Sequence, residues 1–195
     1  MPWPTVGLLA GSAFASGLNL YATIATLGLL DRLGAADLPP ELAVLAHPAV
    51  LGVAGVLYII EFFADKIPWV DSVWDAVHTF IRPPAAAVLA YAATARIPEE
   101  WRVVAALLAG GVALTSHGVK ATTRAAVNTS PEPFSNWGLS FVEDLVAIFL
   151  VWLAATHPLL TVAIVAVLVV AALFVIVKFF GFLRRAFWPR AKSTG

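Results

Sequence analysis

The chain is expected to fold as an all-α bundle embedded in a membrane, with about six transmembrane helices. Three observations lead there. Of its 195 residues, 61% are hydrophobic and only 12% charged, against about 45–50% and about 25% in a soluble domain. The apolar residues fall into runs long enough for a bilayer core of about 30 Å. The few Lys and Arg gather between alternate runs, the bias that orients helical membrane proteins. A single transmembrane domain over residues 1–195 is the simplest organisation.

Taken in order, residues 6–30 carry no charge and read as a first helix. Residues 42–60 form a second, followed by Glu61 and Asp65. Residues 83–95 are too short alone, since a thirteen-residue helix covers about 20 Å. They span only if part of the segment 70–82 joins them. Residues 103–119, 139–156 and 158–177 supply the remaining helices. Pro68 and Pro83-Pro84 break or start helices, because a proline ring cannot donate to the helix ladder. Broken or re-entrant helices are expected there. The N-terminus lacks the basic segment of a signal peptide.

Placing the N-terminus in the cytoplasm puts Lys66, Arg82, Lys120, Arg124, Lys178, Arg184, Arg185, Arg190 and Lys192 inside. Only Arg32, Arg96 and Arg102 then lie outside. That asymmetry predicts a multi-pass protein of the cell (inner) membrane with both termini cytoplasmic. Trp3, Trp69, Trp74, Trp101, Trp137 and Trp188 fall near helix ends, where an aromatic belt sits.

Two segments align without gaps: LLAGSAFASGLNLYAT from Leu8 and LLAGGVALTSHGVKAT from Leu107. Six spans would set the copies in opposite directions, an inverted three-plus-three repeat with halves 6–97 and 101–185. Each copy loses apolar character midway, at Ser16-Gly17-Leu18-Asn19 and at Thr115-Ser116-His117-Gly118. Paired interruptions point to a transport site. Gly7-x-x-x-Gly11 reads more simply as close helix packing. Asn19 is the exception, because its amide needs partners at membrane depth.

The charged residues are the informative ones. Glu143 and Asp144 sit inside the apolar stretch 137–156, where a central Asp costs about 2.5–3.5 kcal/mol to insert. Lys120 and Arg124 lie at comparable depth across a short loop, 128–136, so either can pair with Glu143. Asp144 then faces elsewhere, since neighbours diverge by about 100° on a helix. Glu61 and Asp65 share a helix face. Asp71, Asp75, His78 and Arg82 form one stripe, backed by Val70, Val73, Trp74, Val77 and Ile81. Such a helix either lies in the cytoplasmic interface or turns its acids inward. His47 and His157 precede prolines at helix starts and read as structural. His78 and His117 suit proton or ion work better.

The strings GLNLYAT, EFFADKIPWVDSVWDAVHTFIRP and HGVKATTRAAVNTSPEPFSNWGLSFVEDL resemble an uncharacterised family of small bacterial membrane proteins, domain of unknown function 4126. The resemblance covers nearly the whole chain. It implies a compact multi-span protein whose motifs hold Asp65, Lys66, Asp71, Asp75, Arg82, Lys120, Arg124, Asn128, Glu143 and Asp144. It implies no activity.

The sequence favours a transporter or channel for a small ion or solute. Its pathway would be Asn19, Glu61, Asp65, Asp71, Asp75, His78, Arg82, Lys120, Arg124, Asn128, Glu143 and Asp144, converging on a water-accessible cavity. Carboxylates with a histidine suit a proton or a bound cation; Lys120 and Arg124 suit an anion. Two alternatives stand. Asp71-x-x-x-Asp75 loosely resembles the acids with which prenyl and phospho-alcohol transferases hold magnesium and a diphosphate. Otherwise the protein is structural, with lipid or a second copy as partner. Zero net charge argues against nucleic acid. The absence of cysteine removes disulfides and thiol chemistry. No cofactor motif is present.

Overall fold

In lipid, every backbone N–H and C=O needs an internal partner, so apolar segments become helices. A computed structural model describes residues 1–128 and 134–187, and all their regular structure is helical. Trp188, Arg190, Lys192 and the prolines and hydroxyls of the loop 129–133 lie outside the described residues.

The first expected helix is two. Helices α1 (Trp3–Leu18) and α2 (Leu20–Arg32) meet at Asn19, whose backbone is extended (φ −149°, ψ 103°). Its side-chain oxygen accepts the Ala22 N–H at 2.9 Å, the cap that opens α2. Here the chain turns back. Along α1, Gly7 abuts Pro158, Gly11 abuts Thr161, and the Leu18 carbonyl meets Lys120 Nζ. Along α2 the order reverses: Tyr21 lies beside His78, Gly28 packs on Leu45 and Leu51, and Arg32 donates to the Ala46 carbonyl. Both ends of the hairpin therefore sit at one end of the bundle. Thr5, Leu8, Asp37, Ile97 and Ala155 line a cavity of about 300 Å³ there.

A 3-10 helix (Pro40–Ala46) leads into α3 (Pro48–Ala64) through a 63° bend. His47 Nδ1 accepts the Ala49 N–H at 3.2 Å, the structural role expected of it. Then follow α4 (Pro68–His78), α5 (Arg82–Ala93), α6 (Glu99–Val127), α7 (Phe134–Thr156) and α8 (Pro158–Phe187). Among the described residues, α6, α7 and α8 are long and apolar enough to cross a membrane. The bent pair ending in α3 makes a fourth. Six such helices are not what forms. Asn19 divides the first, and residues 79–81 leave α4 and α5 at 11 and 12 residues, each below the about 20 a span needs.

Two further expectations are corrected. The aligned segments run in the same direction, because α1 and α6 both start at the cavity, beside Thr5 and Ile97, and Gly17 lies against Ser116 farther along. An inverted repeat needs them antiparallel. The described ends of the chain also lie at opposite ends of the bundle. The α1 start shares the cavity with Asp37 and Ile97, whereas α8 leaves Gly7 and runs about 45 Å away as thirty helical residues. The hairpin is the common cause: it removes one crossing.

Packing around α1 is tight. A Cβ on Gly11 would stand 2.6 Å from Ala154 Cβ and 2.9 Å from Thr161 Cγ2, so the Gly7 and Gly11 spacing serves close packing. Phe14, Leu27, Leu150, Val151 and Val165 fill the core around it. Val53, Val56, Ile59 and Phe63 of α3, and Val167, Val170 and Phe174 of α8, point outward. Exposed apolar faces of that length suit lipid. Trp3, Trp69, Trp101 and Trp137 are exposed in first turns, where a belt would place them. Trp74 instead stacks on His78 at 4.5 Å.

Candidate functional site

The acid stripe of α4 turns inward. Asp71, Asp75 and His78 are buried while Trp69, Val73, Val77 and Phe80 face out. An interfacial helix would show the reverse orientation. The stripe joins Glu61 and Asp65 from the end of α3, Lys120 and Arg124 from α6, and Glu143 and Asp144 from α7.

Arg82 begins α5 and donates to Glu61 Oε1 at 2.7 Å, to the Gly17 carbonyl at 3.0 Å and to His117 Nδ1 at 2.9 Å. Lys120 Nζ lies 2.9 Å from Asp65 Oδ2, 3.4 Å from Glu61 Oε1 and 3.9 Å from Glu143 Oε2. It also donates to the Leu18 carbonyl at 3.1 Å, beside the Asn19 break. Arg124 meets Glu143 Oε2 at 2.6 Å and Asp65 Oδ2 at 3.1 Å. The pairing inferred from depth is therefore made by Arg124, with Lys120 at longer range. Asp144 points away from it, accepting from Asn19 Nδ2 at 2.8 Å and from the Tyr58 hydroxyl at 3.5 Å. Asn128 donates to Asp71 Oδ2 at 2.7 Å.

The histidine tautomers follow from these partners. Arg82 can only donate, so His117 Nδ1 accepts and Nε2 carries the proton. That N–H faces Thr79 Oγ1 at 2.9 Å and the Asp75 carbonyl at 3.1 Å. His78 Nδ1 donates to the Trp74 carbonyl at 2.8 Å, leaving Nε2 to accept from Tyr21 at 3.0 Å. Both rings are satisfied neutral.

All twelve residues anticipated from sequence thus lie in one connected region, but they are packed rather than hollow. The network side chains from Arg82, Lys120 and Arg124 to Glu61 and Asp65 are at most 1% exposed. The cavity lined by Thr5, Asp37 and Ile97 lies at the opposite end from these charges. Asp71 and Asp75 likewise present no open face to a diphosphate. Among the described residues, no three of His, Asp and Glu are arranged to hold a metal ion.

Sequence reasoning passed over three contributors, Tyr21, Tyr58 and Asn136, and left Lys66 out of the pathway. Tyr21 and Tyr58 place hydroxyls on His78 and Asp144. Asn136 accepts from Arg124 at 2.6 Å and donates to the Asp65 carbonyl at 3.1 Å. Lys66 holds the Phe62 carbonyl at 2.9 Å and lies 3.1 Å from the Phe62 ring centroid. The available signal was polarity in otherwise apolar helices, which is weak for tyrosine.

The matched region spans every one of these groups. The chain belongs to the family Domain of unknown function (DUF4126), matched over residues 6–178. No curated protein and no solved structure matches it. The DUF4126 chain is thus a helical, membrane-associated protein with a buried ion-pair network at the tip of a helical hairpin.

Proposed function

We propose that this protein moves a small ion or solute across the membrane, with its polar site in the cytoplasmic half. One observation carries the reading: six carboxylates and three cations, all buried, gather where α1 and α2 break. Ionisable groups at such depth are costly and mark pathways far more often than they add stability. Broken helices supply the free backbone carbonyls typical of transporter sites, here Gly17 and Leu18 facing Arg82 and Lys120. The cavity at the hairpin's base serves as the outer vestibule. Leu8 on its wall is eleven residues from Asn19, about 16 Å along a helix, and the packed core between them closes the path.

Orientation follows the basic residues. Lys66, Lys178, Arg184 and Arg185 lie toward the network end, which faces the cytoplasm. The hairpin is then re-entrant from outside, with the N-terminus outside and the C-terminus inside. Because the chain has no cysteine, single substitutions test this directly. An impermeant maleimide should label Trp3→Cys and Asp37→Cys in intact cells, and Ala186→Cys only after permeabilisation. Protection of Trp3→Cys in intact cells would sink the hairpin orientation.

Transport itself is tested in proteoliposomes under imposed pH and Na⁺, K⁺ and Cl⁻ gradients. Wild type should dissipate at least one gradient, and Glu143→Gln should slow it at least about tenfold by removing the charge facing Arg124. Intact gradients with correctly folded wild type, or full flux in Glu143→Gln, would defeat the reading.

A further inference from the structure

The class of ligand can be read from the charge balance, an inference that rests on the transport reading. Among the described residues the buried acids are Glu61, Asp65, Asp71, Asp75, Glu143 and Asp144, against Arg82, Lys120 and Arg124. Lys66, half-buried at the edge, adds one cation. His117 adds none, because its Nδ1 must accept from Arg82, and a neutral ring satisfies both bonds of His78. Two negative charges remain unmatched in a buried region, where each uncompensated ion costs several kcal/mol.

Distances rank how closely each acid is held by a cation. Glu61, Asp65 and Glu143 each lie within 3.1 Å of a cationic nitrogen, and Asp75 lies 3.5 Å from Arg82. Asp71 reaches only 3.9 Å from Arg124. Asp144 has no Lys or Arg nitrogen within 4.0 Å among the described residues; Lys66 faces it from farther away, and its hydrogen-bond partners are Asn19 and Tyr58. A second observation is independent of the count. Asp71 Oδ1 is buried with no hydrogen-bond partner, as are both oxygens of Asp75 one turn along the same face and one oxygen each of Glu61 and Asp65. An anionic oxygen in that state is unfavourable. A hydroxyl there, or a hydroxyl on its neighbour, supplies the missing donor.

We propose that the network is a proton-binding site, with Asp71 and Asp144 as its carriers. Loading forms one O–H bond on a carboxylate oxygen, with the proton drawn from water and no change of oxidation state. Asp71 is placed for exchange with the cytoplasm through half-buried Asn128. It is faced by Arg124 and Asn128 of α6, Asp65 at the end of α3 and Asp75 of its own helix. Asp144 is placed at the hairpin tip. It is faced by Asn19, by Tyr58, Glu61 and Asp65, by Lys66, by Lys120, and by Glu143 beside it on α7. Neutralising Asp144 weakens its hold on Asn19, which ties the proton to the position of the hairpin.

The test is infrared difference spectroscopy on full-length protein in nanodiscs, with ¹³C-carboxyl aspartate. At pH 7 a protonated-carboxyl band that shifts with the label should be present. It should lose one component in Asp71→Asn and the other in Asp144→Asn, and be indifferent to Na⁺, K⁺ or Mg²⁺. Where an Asn variant does not stay monodisperse, Asp→Glu at that position moves its component out of the labelled set and gives the same answer. Absence of the band at pH 7, a band untouched by changes at both positions, or a band replaced on adding a cation overturns the proposal. The measurement needs no flux. A band of the expected composition in protein that transports nothing would leave the proton site standing and defeat the transport reading alone.

Discussion

Arg124→Met should be the most damaging single substitution in the molecule, lowering stability by about 3–5 kcal/mol. Arg124 holds three elements at once. Nε and Nη2 donate to Glu143 on α7 at 3.0 and 2.6 Å, Nη2 to Asp65 Oδ2 at 3.1 Å, and Nη1 to the Asp65 carbonyl at 2.9 Å and Asn136 Oδ1 at 2.6 Å. Methionine preserves the apolar stem and deletes the fork. Glu143 then loses its main donor, the Asp65 carboxylate and carbonyl each lose one of two, and the penalty is that of stranding buried acceptors rather than of losing an attraction. Such a loss is a large share of a typical domain's about 5–15 kcal/mol. Lysine should not rescue it, since a point charge cannot serve α3 and α7 together. Arg96→Met is the control. Its 3.6 Å contact with Glu41 is exposed, a class worth about 0–1 kcal/mol. Thermal unfolding in detergent, with all three variants side by side, checks this. Equal midpoints for Arg124→Met and Arg96→Met would mean that the network does not hold the helices together.

Gly17→Ala is the second large effect, for a steric reason. A Cβ there would overlap Ser116 Oγ and the Ala113 carbonyl and stand 2.8 Å from the His117 N. Backbone on the facing helix cannot swing aside as a side-chain tip can. Helix α1 must move off α6, stretching the bonds from Arg82 to the Gly17 carbonyl and from Lys120 to the Leu18 carbonyl. Overpacking of this kind costs about 1–3 kcal/mol, and the added loss of polar contacts places this site at the upper end. Gly111→Ala on the exposed side of α6 meets nothing within 4 Å and should stabilise by about 0.5–1 kcal/mol, the ordinary helix preference of alanine over glycine. Opposite signs for the same chemical change are the expected result. A neutral Gly17→Ala would mean that α1 and α6 do not pack as described.

Some of the site was legible because helix periodicity is local. The spacing of Asp71, Asp75 and His78 put them on one face, and the structure keeps them there, whereas Arg82, expected on the same stripe, falls beyond the break at 79–81 and opens α5. What spacing could not decide was which way that face points, since an amphipathic helix at a membrane surface and one turned inside out carry the same pattern. Depth matching brought Lys120 and Arg124 within reach of Glu143, but not the choice between them. That choice depends on Asn136 and the Asp65 carbonyl, which only the meeting of α3 with α7 supplies. The tyrosines were unreadable for the same reason: Tyr58 acquires a role by facing Asp144, eighty-six positions away.

Composition alone settled that this chain folds as helices with lipid-compatible faces, because a backbone away from water must bond to itself. Proline marked where some of those helices stop, while the polar interruption at Asn19 reads from sequence as lying within one continuous helix. Only the assembled bundle decided that the chain reverses at Asn19 rather than continuing. A broken ladder leaves the angle free, and contacts of α2 with Leu45, Leu51 and His78, remote in sequence, set it. From that one reversal follow the parallel repeat segments, the separated termini and the enclosure of the acids.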